Sequence, residues 1–303
     1  MHTMAVEYGD RLAGIRDNPY LHASVRYYRR MGLMGKAGFY IILFYILLAI
    51  FAPYIAPYEP LVSQRTAQGG LALNEPPSSQ YLLGTTSNAR DVLSQVIVGS
   101  RTSVFVGIVA AFITVFIGAN LGLISGYYGG RVDDLIMRFT DLVFGLPFLP
   151  FVIVVVSIIG TGTLEIIIGI SAILWRTSAR VIRSEVLSIK EEQFVEELEN
   201  LGASDLRILY KHVAPNVLPL IFLYAALALG LSVILEANLS FLGLGAPLSV
   251  SWGGMIYRAF QQGMVTFSWW WTFPPGILLS LFVLATFMFG RSLEMISDPE
   301  LRD

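Results

Sequence analysis

The densest run of reactive side chains in the 303-residue chain lies at 190–212. There Lys190, Glu191, Glu192, Glu196, Glu197, Glu199, Asp205, Arg207, Lys211 and His212 surround a single glycine, Gly202. Carboxylates at that density serve acid–base chemistry or metal binding only with the right neighbours, and those are missing from the sequence. His2, His22 and His212 are scattered, and no Ser/His/Asp arrangement or metal-ligand spacing is present. There is no cysteine, which excludes thiol catalysis, disulfides and Cys-ligated metals. The only lysines are Lys36, Lys190 and Lys211. None stands in the G-x-x-x-x-G-K-[ST] pattern that cradles nucleotide phosphates. The sequence therefore assigns no catalytic residue and no metal site. What remains is a charged surface around a glycine and a few isolated charges elsewhere. Arg138 and Asp141, at i and i+3 on one helix, suit a structural ion pair. Asp133 and Asp134 suit helix caps. Glu236 stands alone after a long apolar run.

The elements that position these residues belong to a membrane. Hydrophobic residues make up 55% and charged residues 14%, with a mean hydropathy of +0.65. A soluble domain carries about 25% charged residues. Long stretches lack Asp, Glu, Lys and Arg altogether, among them 37–58, 102–130, 142–164, 166–175, 212–235, 237–257 and 259–290. A helical span needs roughly 20 apolar residues. A soluble enzyme, a disordered chain and a β-barrel of ~10-residue alternating strands are all excluded. The net charge of −2 implies no nucleic-acid partner.

The expected fold is an all-α membrane protein. It has six transmembrane helices, at 37–56, 102–125, 135–158, 165–182, 216–237 and 273–292. Most of 237–257, rich in Gly, Ser and Pro, is expected to be loop. Residues 1–36 are a cytoplasmic N-terminal segment, not a cleaved signal peptide, since some 36 polar or mixed residues precede the first apolar run. A loop at 57–101 lies outside, and five spans with a loop at 183–215 form the core, 102–293. The tail 294–303 is cytoplasmic. With both termini inside, 16 of 20 basic residues fall on the cytoplasmic side. Arg65, Arg90, Arg101 and Arg258 fall outside, as the positive-inside rule asks. Trp252, Trp269, Trp270 and Trp271 then sit at the outer interface as an aromatic belt. Val92, Val96 and Ile97 share one face of an amphipathic stretch expected to lie along the outer surface beside Arg90 and Asp91.

Within the inner loop, Leu187, Phe194, Leu198 and Leu201 share a helical face and the glutamates lie largely elsewhere. Gly202 should stop the helix in a left-handed conformation. Ser204 or Asp205 should cap a second short helix, which Pro215 ends or kinks. On periodicity alone, a solvated connector with an acidic face fits as well as a functional element.

The run FVEELENLGASDLRILYKHVAPNVLP, 194–219, resembles the "EAA" loop of ABC-importer permeases, with Glu196, Gly202 and Pro215 at its Glu, Gly and Pro positions. Glu197-Leu198 replaces the two alanines, and His212 and Ala214 replace the Ile and Leu. LGTTSNARDVLSQVIVGSRTS (83–103), GLISGYYGGRVDDLIMRFTDLVFGLPFL (122–149), LEANLSFLGLGAP (235–247), SWGGM (251–255) and the C-terminal SDPELRD resemble the second permease subunit of dipeptide, oligopeptide and nickel importers. The resemblance covers about 35–303. It implies a plasma- or inner-membrane permease importing a solute by alternating access, peptides first, oligosaccharide or nickel as alternatives. It implies no cofactor on this chain, with ATP and Mg bound by two separate ATPase subunits. The other implied partners are a homologous permease, an extracytoplasmic substrate-binding protein and the lipid bilayer. Residues expected to dock the ATPase are Glu196, Leu201, Gly202, Ala203, Ser204 and Asp205. Glu236 is a candidate for the translocation path, or for hydrogen bonding to the Gly-rich loop after it. Small residues at helical spacing in the second span, Ser103, Gly107, Ala111, Gly118, Gly122 and Gly126, pack within the chain or against the partner permease. The rivals, an ion-coupled carrier with internal repeats and a membrane-embedded enzyme, lack support in the residues.

Overall fold

The computed structural model describes residues 31–297. The N-terminal segment as far as Arg30 and the end of the C-terminal tail, 298–303, lie outside the described residues. Among those described, the fold is all-helical. The helices are α1 (Leu33–Ile55), α2 (Val92–Tyr128), α3 (Gly130–Gly145), α4 (Phe148–Ile159), α5 (Thr163–Lys190), α6 (Gln193–Asn200), α7 (Asp205–Ile208), α8 (Ala214–Phe241), α9 (Trp252–Gln261) and α10 (Trp269–Ser297). A π turn, Leu209–Val213, joins α7 to α8.

By length and composition four helical stretches are able to cross a membrane: α1, α2, Asp205–Phe241 and Trp269–Met295. A fifth arises if α3 and α4 count as one broken span. The expected continuous helix at 135–158 is thus corrected: α3 and α4 meet at 92°. Pro147 is the cause. A residue before proline is driven out of the helical region, and Leu146 sits at φ −80°, ψ 129°. The helix therefore ends at Gly145 and restarts after Pro147. The expected span 165–182 lies inside the longer α5, whose Arg176, Arg180 and Arg183 keep it from passing as uniformly apolar.

The stripe of small residues on α2 faces inward. A side chain on Gly122 would lie 2.6 Å from the Ala179 carbonyl, and one on Gly126 would lie 2.8 Å from Val186 Cβ. Backbone contact this close is how membrane helices gain dispersion energy where water offers no drive. Gly107 meets Val233 on α8, and Ala111 clusters with Ala228. The stripe holds α5 and α8 against α2 within one chain. It is not a free seam for a second permease.

The layer expected to face outward differs from expectation in four ways. α2 begins at Val92, so the outer loop ends near residue 91, not 101. Val92 and Val96 are buried against Val250, Met255 and Trp271 and do not lie on a surface. Asp91 is the buried N-cap of α2, accepting from the Ser94 N–H at 2.7 Å and the Ser94 Oγ at 2.6 Å. A helix, α9, occupies 252–261, where glycine content argued for loop. Ser251 caps it by accepting from the Gly254 N–H at 3.2 Å. Trp252 is not in an interfacial belt: it is fully buried, edge-to-face with Tyr45 at 5.6 Å, and donates to the Val96 carbonyl at 3.0 Å. Trp271 is buried as well, and Trp269 is exposed.

Candidate functional site

α6 and α7 form an elbow between the C-terminal end of α5 and the N-terminal end of α8. Its inner face is apolar. Val195 is 1% exposed and joins Ile182, Val186, Ile208, Leu209 and Val213, with Phe194, Leu198 and Ala203 packed around them. The outer face carries Glu191, Glu192, Glu196, Glu197 and Glu199, all exposed. α6 ends in a Schellman motif: the Gly202 N–H donates to the Glu199 carbonyl at 2.9 Å and the Ala203 N–H to the Leu198 carbonyl at 3.1 Å. Gly202 has φ +76°, the left-handed conformation its position predicted. No atom lies within 4 Å of where its Cβ would stand, so backbone conformation alone selects glycine there. Ser204 occupies the N-cap of α7 without a side-chain bond, and its carbonyl receives the Arg207 and Ile208 N–H groups. Pro215 does not end the helix. It stands in the first turn of α8, where its missing N–H costs nothing, and the π turn before it absorbs the ring.

The tip of the elbow carries the property the sequence did not single out. Leu201 is 82% exposed and Leu206 62%, on either side of Gly202. Leu201 does not join the buried face of Phe194 and Leu198. The two bare leucines share the elbow with the exposed carboxylates of Glu196, Glu199 and Asp205, an apolar tip within an acidic surface. Of the predicted residues, Glu196, Leu201, Gly202, Ser204 and Asp205 are exposed in this one elbow, and Ala203 is half-buried on its floor.

The supports of the elbow are ionic. Arg183 on α5 pairs with Asp133 on α3 through two of its nitrogens, and Ser125 donates to the same carboxylate. Asp133 is therefore a bridge among three helices and not the cap expected of it. Asp141 pairs with Arg180 at 2.7 Å, not with Arg138. The i, i+3 relation placed two charges on α3, but the neighbouring helix α5 offers Asp141 the better-placed guanidinium. Arg176 and Arg180 lie over the Phe144 ring at 4.7 and 4.0 Å. Lys190 donates to the Tyr127 carbonyl at 2.7 Å, placing a cation at the negative C-terminal end of α2.

Glu236 is 1% exposed, so within this chain it lines no path. Its two carboxylate oxygens accept from Ser103 Oγ at 2.9 Å and Ser240 Oγ at 2.7 Å, and Ser103 Oγ accepts from the Trp252 N–H at 3.3 Å. The carboxylate ties α2, α8 and α9 together beneath the outer layer.

Comparison with known proteins gives the family. The family model described as "Binding-protein-dependent transport system inner membrane component" matches residues 118–302, which include the elbow and its supports. The chain belongs to that family. This inner membrane component also matches the N-terminal transmembrane domain of oligopeptide transport permease C over residues 34–77. Among curated relatives, the dipeptide transport system permease protein DppC of Bacillus subtilis is 35% identical, covering 89% of this chain and 82% of that protein. The oligopeptide transport system permease protein OppC of the same organism is 33% identical over 90% and 88%. The glutathione transport system permease protein GsiD of Pectobacterium atrosepticum is 34% identical over 91% and 90%. Among solved structures, the MetNI methionine ABC transporter in inward-facing conformations matches 69% of this chain and 97% of that one, with TM-score 0.55 and 16% identity. That likeness supports the shared fold. The permease is a multi-pass membrane subunit of an ABC transport system.

Proposed function

We propose that this permease moves di- or oligopeptides inward, taking them from an extracytoplasmic binding protein and driven by two separate ATPase subunits that bind ATP and Mg. A second, homologous permease completes the pathway. The peptide class rests on the names of the relatives that cover most of the chain.

The observation that carries the mechanism is the bare elbow tip. Apolar area the size of two leucines is worth roughly 2–5 kcal/mol when buried. Leu201 and Leu206 leave that energy unspent in this chain. A groove on an ATPase would collect it, and the acidic surface would set the register. The elbow is linked to α5 and α8 by its apolar floor, and α5 is fixed to α2 and α3 by the Asp133–Arg183–Ser125 cluster. A push on the tip therefore moves whole helices, the rigid-element behaviour alternating access requires. Six spans follow when α5 and the bent α3–α4 pair both cross. An even count puts both termini on one side, and the distribution of basic residues supports the cytoplasm.

The test is a full complex reconstituted in proteoliposomes, with co-purification of the ATPase and uptake of labelled dipeptides as readouts. Binding-protein-dependent uptake is expected. ATPase co-purification without uptake of any peptide would overturn the solute class. Single cysteines, convenient because the chain has none, test the orientation. One at Ser79 should react with an impermeant thiol reagent from outside, and one at Ser204 should not.

A further inference from the structure

The outer layer holds a second polar feature, unrelated to the elbow. A cavity of about 280 Å³ lies between the end of α8, the loop after it and α9. Thr161, Ser240, Ser251, Gly254, Tyr257 and Arg258 are among the residues on its wall. Arg258 is the unusual member. Its Nε and Nη2 are sealed from solvent and find no acceptor among the described residues, and no described carboxylate forms an ion pair with it. Glu236, the acid on the adjoining α8, spends both oxygens on Ser103 and Ser240. Arg90, whose Nε is likewise sealed and unpartnered, acts on Arg258 with a like charge. Burial pushes the Arg258 guanidinium below its ordinary range, and the like charge of Arg90 adds to the effect. A guanidinium stays protonated even so.

A guanidinium with unpaired buried donors and a like charge acting on it is costly, and an oxyanion on the cavity side of Arg258 offsets part of that cost. The rest of the wall is prepared for one. Nη1 is not among the sealed nitrogens of Arg258, so it is the donor that a solute in the cavity can reach. Tyr257 Oη accepts from Gln261 Nε2 at 2.6 Å, which leaves its own hydrogen free to donate. A guanidinium N–H and a phenol hydroxyl suit a carboxylate. At this volume the cavity takes the end of a small solute and not a folded partner.

We propose that the Arg258 cavity is a carboxylate subsite that receives the free carboxyl end of the solute on the outer side of the permease. It rests on the peptide-import reading for the solute, but the site itself is testable without transport. Thermal unfolding of the purified full complex is measured with N-acetylalanine or N-acetylalaninamide. The carboxylate is expected to raise the unfolding temperature and the amide is not. The shift is expected to vanish in Arg258→Gln, to survive partly in Arg258→Lys, and to need about tenfold more ligand in Tyr257→Phe. Equal shifts for both probes, or a carboxylate shift that persists in Arg258→Gln, would overturn the proposal. Stabilisation by phosphatidylglycerol that N-acetylalanine does not reproduce would assign the arginines to a lipid phosphate and also overturn it. If Arg258→Gln loses the partner permease, the carboxylate belongs to that subunit and the proposal fails. In proteoliposomes the half-saturating concentration for dialanine uptake should rise at least tenfold in Arg258→Gln, and an unchanged value counts against the subsite. A wild-type complex that moves no peptide yet shows the carboxylate-selective shift supports the subsite and refutes the peptide reading.

Discussion

The elbow and the layer at the other end of the helices, expected to face outward, are built on opposite principles. Apart from Arg90, Arg258 and a few other buried groups, the layer expected to face outward spends its polar groups internally: Asp91 caps α2, Glu236 holds two serines, and the Trp270 Nε1 donates to the Thr85 carbonyl at 3.2 Å. Its aromatic residues Tyr45, Trp252, Trp271 and Phe282 are buried. The elbow buries one apolar floor and leaves its tip, its carboxylates and its left-handed glycine bare. The first is a fixed platform, since each interaction lost there strands a buried polar group. The second is a handle, since its outward groups contribute nothing to the fold of this chain. Stability and coupling should therefore separate by region.

The comparison is most severely tested by Gly253→Val. A Cβ at Gly253 would lie 2.5 Å from the Ala237 Cα, a backbone atom that has nowhere to go. Overpacking of this kind costs about 3 kcal/mol. The variant is expected to lose most of its monodisperse, assembled protein on size exclusion in detergent. A wild-type yield would show that the outer layer is softer than it looks.

Gly202→Val makes the converse point. The left-handed conformation costs a non-glycine residue about 1–2 kcal/mol, but no neighbouring atom is displaced. Membrane expression should stay near wild type. Binding-protein-stimulated ATP hydrolysis and uptake should fall at least tenfold, because the tip is re-aimed. If both stay at wild-type levels, the elbow is not the coupling element.

Glu236→Ala should cost about 1–3 kcal/mol, the penalty for leaving buried hydroxyls without their acceptor. The unfolding temperature should fall while uptake per assembled complex holds. Uptake falling at unchanged stability would return Glu236 to the translocation path. Glu196→Ala should have the smallest effect, a reduction in stimulated hydrolysis within about twofold, since a single exposed charge is largely screened. A loss as large as that of Gly202→Val would mean that the acidic surface, not the apolar tip, carries the docking.

How much of this was legible beforehand varies with the range of the interaction. The turn at Gly202 was readable because a left-handed residue after an amphipathic run is a local event. The bend at Pro147 was equally local but was overridden by the length of the apolar run around it. α9 was missed because Gly253 and Gly254 read as loop; Gly253 is needed there for close contact with α8, a reason that exists only once α8 is in place. The pairing of Asp141 failed for the same kind of reason. An i, i+3 rule sees one helix, and Arg180 belongs to another.

The sequence by itself determined that this is an all-helical membrane protein without a nucleotide-binding loop, and that its inner loop turns at Gly202. Hydrophobic length, charge distribution and a glycine at a helix end act through a few neighbouring residues. Only the tertiary structure decided where the charges go. It turned the small residues of α2 inward, closed Glu236 inside three helices, gave Asp133 to Arg183, bared Leu201 and left Arg258 facing a cavity. Each of those outcomes depends on residues far apart in the chain, and the energy of a buried charge or an exposed leucine is set by what folding brings beside it.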